Sequence, residues 1–444
     1  MPPPDRLHAA LASALQHHAV PGQKLVLGLS GGIDSVALLH ALRHPDFASY
    51  PLSCVHVHHG LSPHADAWAD FCEALCVGFQ VPLLIHRVTV NRLDPAGIEG
   101  AARSARRQVF AQLDADIVLT AHHQNDQAET FLLQLLRGAG PKGLAAMAES
   151  QHHSGWQALQ LRPLLQVTRA QIEHYAREHA LAWIDDESNS DLAYSRNYLR
   201  HALMPGFEQR FPATVPVLAR AAALQADALE ILSDMARLDA QDCIQADHLD
   251  CTCLAQRSLP RARNLLRWFI EQQGCPMPSE RRLDEGLRQI MHAAPDAHVR
   301  VTIAPEFELR RYRGAAYIVP MQQCIEQAAL IWHGEPQLHL EQAQCRVLMT
   351  FAQGVGLSST RLQRAHVEVG VRRGGEHLRM VKNGPHRSLK NLLQEAHLPP
   401  WQRACVPLLW CDGELAWASG IGFGADFLAS PDEAGIVPVK QCRQ

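Results

Sequence analysis

Six consecutive residues, Ser30-Gly31-Gly32-Ile33-Asp34-Ser35, carry the densest chemical potential of the chain. They lie between an apolar run of strand length, Leu25 to Leu29, and a helix-like run, Val36 to Leu42. A strand that turns sharply into a helix leaves the first helical N–H groups without intrahelical partners, and the helix dipole adds positive potential there. Two adjacent glycines let a bulky anion approach that backbone closely. No Gly-Lys-Ser/Thr comes after them, so this is not a Walker A loop. The plain alternative is a strand–turn–helix corner in which Gly-Gly serves the turn and Asp34 and Ser35 cap the helix.

The second cluster is Ala121-His122-His123-Gln124-Asn125-Asp126-Gln127-Ala128-Glu129-Thr130. Asp126 and Glu129 share a helix face, and two carboxylates beside an anion loop call for a cation, for which magnesium is the natural partner. Gly97-Ile98-Glu99 leads into Arg103, Arg106 and Arg107, and Glu99 lies one turn from Arg103. Arg196-Asn197-Tyr198-Leu199-Arg200 places two arginines one turn apart, able to clamp phosphates or a carboxylate. Arg137 opens the Gly-rich stretch Arg137 to Leu144, an anion-binding loop or a simple helix cap, and His58 closes a strand within His58-His59-Gly60. Each of these taken alone has an ordinary structural reading: a surface ion pair, a capped helix, a histidine at a strand end.

Periodicity supplies the elements that must position them. Helical patterns cover about 7–19, 35–43, 63–79, 97–113, 125–137, 168–180 and 195–204, and strand patterns cover 25–29, 52–60, 81–88, 117–121 and 156–164. Strands alternating with helices predict an α/β fold, a parallel sheet with helices on both faces, and a ligand site beyond the carboxyl ends of the strands. The expected domains are 1–216, the α/β domain that carries these clusters; 217–320, an α-rich domain; and 366–444, a small α+β domain with a helix at 388–396. A long helix over 214–238 links the first two.

With 444 residues the chain is long enough for several cores. No apolar stretch reaches membrane-spanning length, and the N-terminus lacks a signal pattern, so a cytoplasmic protein without membrane association is expected. The twelve cysteines lack C-x-x-C spacing and read as free thiols. Net charge is −4, yet residues 257–313 hold eleven Arg against seven acids and residues 366–403 hold seven Lys plus Arg against three. Two basic segments on an acidic chain suggest phosphate-backbone contacts confined to particular faces.

The loop at 30–35 resembles the pyrophosphate (PP) loop of ATP-pyrophosphatase enzymes. Taken together, that loop, His58-His59-Gly60, Gly97-Ile98-Glu99 with Arg103, Ala121 to Thr130, Arg137-Gly138-Ala139-Gly140, Arg162-Pro163-Leu164-Leu165, Asp186 to Asn189 and Arg196 to Arg200 occur in the order seen in the tRNA(Ile)-lysidine synthetase family. Lys390 to Ala396 with Pro399-Pro400-Trp401 resembles the last domain of its three-domain form. The resemblance implies a ligase that uses ATP to adenylate the C2 oxygen of the wobble cytidine in tRNA(Ile) with anticodon CAU. The amine of L-lysine then attacks C2 and displaces AMP, forming lysidine and changing codon reading from AUG to AUA. It implies ATP held by Ser30, Gly31, Gly32, Ile33, Asp34, Ser35 and His58, with magnesium on Asp34 and Asp126. Glu129 would hold the lysine ammonium group. Arg103, Arg196 and Arg200 complete the catalytic set with Asp34, Asp126 and Glu129, and Glu99, Asn125, Arg137 and Asn197 would contact substrates. The second and third domains would grip the tRNA, and a homodimer is compatible with the pattern.

Departures stand inside the motifs: an aromatic is usual where this chain has Arg107, the residue after Gly-Ile-Glu is Gly100, and the family usually shows Asp-Asp-Gln where this chain has Asn125-Asp126-Gln127. Asparagine still offers a carbonyl oxygen but lacks a full charge. Two other readings use the same loop: a tRNA-thiolating enzyme, which needs a reactive cysteine beside the site, and a non-catalytic tRNA-binding protein with a vestigial ATP site.

Overall fold

A computed structural model of the chain describes residues 5–442 apart from residues 92, 95–96, 188–190, 295–296, 298, 322–328, 342 and 344. The chain forms two compact units, Met1–Met235 and Ala236–Gln444.

The first unit is built on β1 (Leu25–Gly28), β2 (Leu52–His58), β3 (Leu83–Arg87), β4 (Ile117–Leu119), β5 (Ser150–Gln151) and β6 (Leu159–Leu161). The sheet order is β3-β2-β1-β4-β6-β5, all parallel except the β5 edge, which pairs antiparallel with β6. The chain moves outward from β1 to β2 and β3, then returns to place β4 on the other flank of β1. That reversal opens a crevice at the carboxyl ends of β1 and β4. The sequence of β1 explains its central place. Leu25 and Leu27 point into the core formed with α1 (Arg6–His18), α2 (Ile33–Leu42) and α3 (Ala65–Phe79), while Val26 points the other way, into the core under α4 (Gly97–Ala111). Both faces of the strand are therefore buried, as an unbroken apolar run requires. Position 28 suits glycine, because a Cβ there would meet Phe110 of α4 at 2.9 Å.

Beyond β4 the chain forms α5 (Gln124–Leu136), the short α6 (Pro141–Leu144), α7 (Arg169–Glu178), α8 (Ser195–Tyr198), a π-helical turn at Leu199–Leu203, and α9 (Met204–Arg210). Leu199 and Met204 pack with Ala128 of α5 in a small separate core. This packing holds the 195–204 segment over α5. The helix expected at 214–238 is α10, Thr214–Cys243, and the division between the two units falls inside it.

The second unit begins with a five-stranded antiparallel sheet of residues 244–320, more strand than the α-rich expectation allowed, joined to helices Leu259–Gln272 and Glu280–His292. The extra strands were hidden because Ile244–Gln245 and His248–Asp250 are too short to show alternation. The C-terminal part carries two antiparallel sheets of five and four strands around a shared core, and the expected helix is Leu389–Glu395. Cys243 and Cys253 form a disulfide, which corrects the expectation of free thiols throughout. The turn between the two short strands folds the chain back and brings their Cα atoms to 5.3 Å.

Much of the positive charge in the basic segments is spent internally. Arg300 and Arg310 flank buried Glu308, Arg263 pairs Asp284, and Arg373 and Arg387 pair Glu368 and Glu395. Among the described residues no helix is long and apolar enough to cross a membrane.

Candidate active site

The crevice between β1 and β4 receives the phosphate-type loop from one strand and the Ala121–Asp126 segment from the other. In the loop, Gly31 adopts φ +85°, and a Cβ there would meet Ile184 Cδ1 at 2.8 Å and Cys72 Sγ at 3.2 Å. Its carbonyl accepts from the Ile184 N–H at 2.9 Å. Ser30 and Ser35 shape the loop from within: their hydroxyls are 3.1 Å apart, and Ser35 Oγ donates to Gly32 O at 2.9 Å. Gly32 is the N-cap of α2 and no side chain caps that end. The first amides of α2 are left to an external acceptor, which suits an anion.

Asp34, in the first turn of α2, lies between two partners. Its Oδ2 accepts from Arg169 Nη1 at 2.8 Å, while Oδ1 is buried with no hydrogen bond, 3.6 Å from His123 Nε2. Burial raises the Asp34 pKa despite the pull of His123 and Arg169. His123 caps α5: its Nδ1 accepts from the Asp126 N–H at 3.4 Å, and its own N–H donates to Asp126 Oδ2 at 3.0 Å. Nε2 is the ring nitrogen that faces Asp34. Burial works against the Asp126 charge, but His123 and Arg196 outweigh it and hold the carboxyl at about 2.

Glu129, 2% exposed, is gripped from two sides. Arg196 Nε donates to Oε2 at 2.7 Å, Arg200 Nε donates to Oε1 at 2.6 Å, and Arg200 Nη2 donates to Oε2 at 2.9 Å. Arg196 Nη2 also reaches Asp126 Oδ1 at 2.8 Å. The arginine pair therefore clamps carboxylates, as its spacing suggested, and they are the protein's own. Burial disfavours the charge on both arginines, but Asp126 and Glu129 more than restore it and raise both pKa values. A buried acid pair neutralised by two arginines is held in place by hydrogen bonds as much as by charge.

Other expected residues lie differently. Asn125 Oδ1 accepts from the Arg169 backbone N–H at 3.0 Å, so it ties the start of α7 to α5 where a substrate or metal contact was expected. An aspartate could accept the same bond, which explains how asparagine fits the motif. Asn197 donates to the Asp191 carbonyl at 3.0 Å and braces its own turn. His58 belongs to an ion cluster at the sheet edge, 3.2 Å from Arg87 Nη1 and 3.3 Å from Asp66 Oδ1, where a nucleotide contact was expected. The residue after it points to the other side: His59 has a buried, unpartnered Nδ1, and burial with Arg106 nearby pushes its pKa down to about 4. Glu99 is exposed on α4, and Arg137 is the exposed C-cap of α5; Arg103, on the same helix as Glu99, feels both Arg196 and Asp126, and burial with Arg196 nearby pushes its pKa down. Ser188 and Asn189 lie outside the described residues.

Sequence reasoning missed Arg169, and it quoted His123 and His59 within motifs without giving either a place in the site. Arg169 comes only a few residues after Arg162-Pro163-Leu164-Leu165, and its position at the first turn of a helix next to that motif was the one available signal. His122 completes the cleft wall, with Nδ1 3.0 Å from Thr120 Oγ1, and burial pushes it down from 6.5 to about 3. The folded state thus keeps His122 neutral where the unfolded chain takes up a proton. Its contribution to stability is complete above pH 6.5 and is lost as pH falls toward about 3. A His122→Asn variant is expected to show a shallower loss of stability over that window, by at most about 1.4 kcal/mol per pH unit. Denaturant titrations at stepped pH check this, and parallel curves for parent and variant would refute it.

The donor set fits a hard cation. Asp34 Oδ1 is an orphaned buried carboxylate oxygen, and Asp126 is a second carboxylate beside the same loop. Sulfur does not fit as a reagent, since Cys72 is fully buried against Gly31 and burial pushes its thiol up to about 12.

Three family models match the chain in order: a PP-loop domain over residues 5–207, a TilS substrate binding domain over 249–317 and a TilS substrate C-terminal domain over 367–439. The tRNA(Ile)-lysidine synthase of Nitrosomonas europaea is 40% identical over 94% of this chain and 92% of its own length. That of Azoarcus sp. is 40% identical over 97% and 95%, and that of Aromatoleum aromaticum 41% identical over 95% and 98%. A phosphate-type loop facing an arginine-clamped acid pair at the sheet's switch point, matched along nearly the whole length of such relatives, places this chain in the tRNA(Ile)-lysidine synthase family.

Proposed function

We propose that the chain ligates L-lysine to C2 of the wobble cytidine of tRNA(Ile) with anticodon CAU, consuming ATP and releasing AMP and diphosphate. The observation that carries this reading is the meeting of two features in one crevice: uncapped amides at the start of α2, and the Asp126–Glu129 pair under Arg196 and Arg200.

The chemistry divides between them. The cytosine C2 oxygen attacks the α-phosphorus of ATP, the bond to the β-phosphate oxygen breaks, and diphosphate leaves. The amides of Ile33 to Ser35 and the guanidinium of Arg169 stabilise the charge that collects on the departing group. Asp34 and Asp126 would hold magnesium, which neutralises charge on the triphosphate. The activated C2 then accepts the lysine amine, the C2–O bond breaks, AMP departs, and the amine releases a proton. Glu129 and Asp126 offer the negative charge that receives the lysine ammonium group, which exchanges with the more exposed Arg200. The freed guanidinium then faces the lysine carboxylate. Holding base, ATP and lysine in one site removes most of the entropic barrier. The target base must leave the anticodon stack to reach it. Residues 217–320 and 366–444 would hold the body of the tRNA.

The thiolating reading finds no support at Cys72, the cysteine that touches the loop, which is buried with its thiol pushed up. The decisive experiment measures diphosphate release from ATP with an unmodified tRNA(Ile) CAU transcript, with and without lysine, and then the mass of the anticodon fragment. A mass gain of one lysine residue on the wobble cytidine is expected. No release under any condition would leave a binding protein, and release without lysine transfer would require another nucleophile.

A further inference from the structure

On the side of α1 and the turn that succeeds α2, three side chains converge that the reaction above does not use. His8 lies in the first turn of α1, and His44 and Asp46 flank the start of a short 3-10 turn, Pro45–Phe47. Among the described residues, His8, His44 and Asp46 bring one ligand atom each to within 4.8 Å of the others. His8 Nε2 is 2.9 Å from Asp46 Oδ2, and His44 Nδ1 is 3.4 Å from the same oxygen.

We propose that these three residues form a binding site for a zinc-type divalent cation, with water completing a tetrahedral set. Bonds of about 2.0–2.1 Å in a tetrahedron put neighbouring ligand atoms roughly 3.4 Å apart. One observed separation, 3.4 Å, equals that spacing; the 2.9 Å pair would open slightly around an ion, and the two imidazole nitrogens stand within 4.8 Å of each other. The His8 nitrogen adds a second, independent sign. It is buried, and although a carboxylate oxygen lies 2.9 Å away, the two are not aligned as a hydrogen bond. A lone pair directed past its neighbour suits two ligands that share an ion. The Asp46 carboxylate faces both imidazoles and supplies the anionic ligand of such a set.

The ligands are also held before any ion arrives. Asp5 caps α1 by accepting from the N–H groups of Leu7 and His8, and Leu7 is buried in the core. Phe47 is buried too and stacks against His8 with centroids 5.1 Å apart, while the His8 and His44 rings meet edge to face at 4.5 Å. His44 Nδ1 accepts a long hydrogen bond from the Asp46 N–H at 3.3 Å, which coordination at that nitrogen replaces. Two imidazoles and one carboxylate favour zinc over magnesium, which prefers oxygen ligands and keeps its water. The site is thereby chemically separate from the carboxylates at the phosphate loop. The bound ion clips α1 to the end of α2, the helix whose start carries that loop.

The test uses the full chain stripped of metal by a chelator and titrated with zinc against a chromophoric competitor. One equivalent with micromolar or tighter affinity is expected in the parent. His44→Ala and Asp46→Asn, both at exposed positions, are expected to weaken it by at least about tenfold. Millimolar magnesium should not displace the zinc, and zinc should raise the thermal midpoint of the parent but not of the variants. Both variants should retain the parent's circular dichroism and diphosphate release. Equal zinc affinity and stoichiometry in parent and variants, or no saturable equivalent in the parent, would overturn the proposal.

Discussion

Asp34→Asn removes diphosphate release almost entirely, by about a thousandfold or more, while the protein keeps its fold. The side chain is the one place where the loop, the cation and the leaving group meet. Its Oδ1 is buried without a hydrogen bond, and its Oδ2 holds Arg169 at 2.8 Å. Asparagine preserves the volume and can still present a carbonyl oxygen to Arg169. It loses the charge, and roughly 4 kcal/mol of transition-state stabilisation corresponds to that thousandfold drop. Burial already raises the pKa of this carboxyl, so substituting a neutral amide relieves a folded-state cost, and stability is expected to hold or rise slightly. Diphosphate release with the tRNA transcript, alongside a denaturation curve, separates the two effects. Release within tenfold of the parent would remove Asp34 from the cation and leaving-group site.

Glu129→Gln is expected to strike both stability and reaction. Glu129 accepts from Arg196 and Arg200 through both oxygens and is almost fully buried. Making it neutral leaves two guanidinium groups facing each other with Asp126 as their remaining buried counter-charge. Breaking a buried pair of this kind typically costs about 3–5 kcal/mol, and the partial exposure of Arg200 favours the low end. The midpoint of thermal unfolding should therefore fall by roughly 10 °C. Diphosphate release should fall even without lysine, because the clamp that shapes the crevice has loosened. The lysine concentration needed for half-maximal ligation should also rise. A variant with unchanged stability and unchanged lysine dependence would contradict both the clamp and the lysine role. Arg200→Lys is an informative companion, since one point charge cannot reproduce two forked donors.

The legible part of this fold was its order. Apolar runs at 25–29 and 117–121, bounded by Gly-Gly and His-His, announced the two central strands and the chemistry-bearing turns at their carboxyl ends. The rule that the site lies beyond the carboxyl ends of the strands put both turns at one edge of the sheet, and the family resemblance paired Asp34 with Asp126 there. The orientation of side chains at strand ends was not legible. Moving from His58 to His59 turns the side chain from the Arg87–Asp66 pair to the Arg106 side, and no local pattern says which of two histidines faces a cleft. Arg169 was invisible for a different reason: 135 residues separate it from Asp34, and its motif neighbours serve the core. The basic segments of the second unit misled in part. Charge counting cannot tell an arginine that faces solvent from one bonded to Glu308 or Asp239.

The seat of Ile184 on Gly31 makes two recognition events interdependent. Residues 183–187 lead into the segment that carries Arg196, and their first anchoring point is the backbone of the phosphate loop itself. A ligand that orders one of these segments spares part of the ordering cost for a ligand of the other. The two affinities must then be linked by the same factor in either direction. For an enzyme that spends ATP on a macromolecule, such reciprocity acts as a guard against waste. Nucleotide would be gripped in its reactive pose mainly when the correct RNA is already in place, and idle turnover would be suppressed without a dedicated lid.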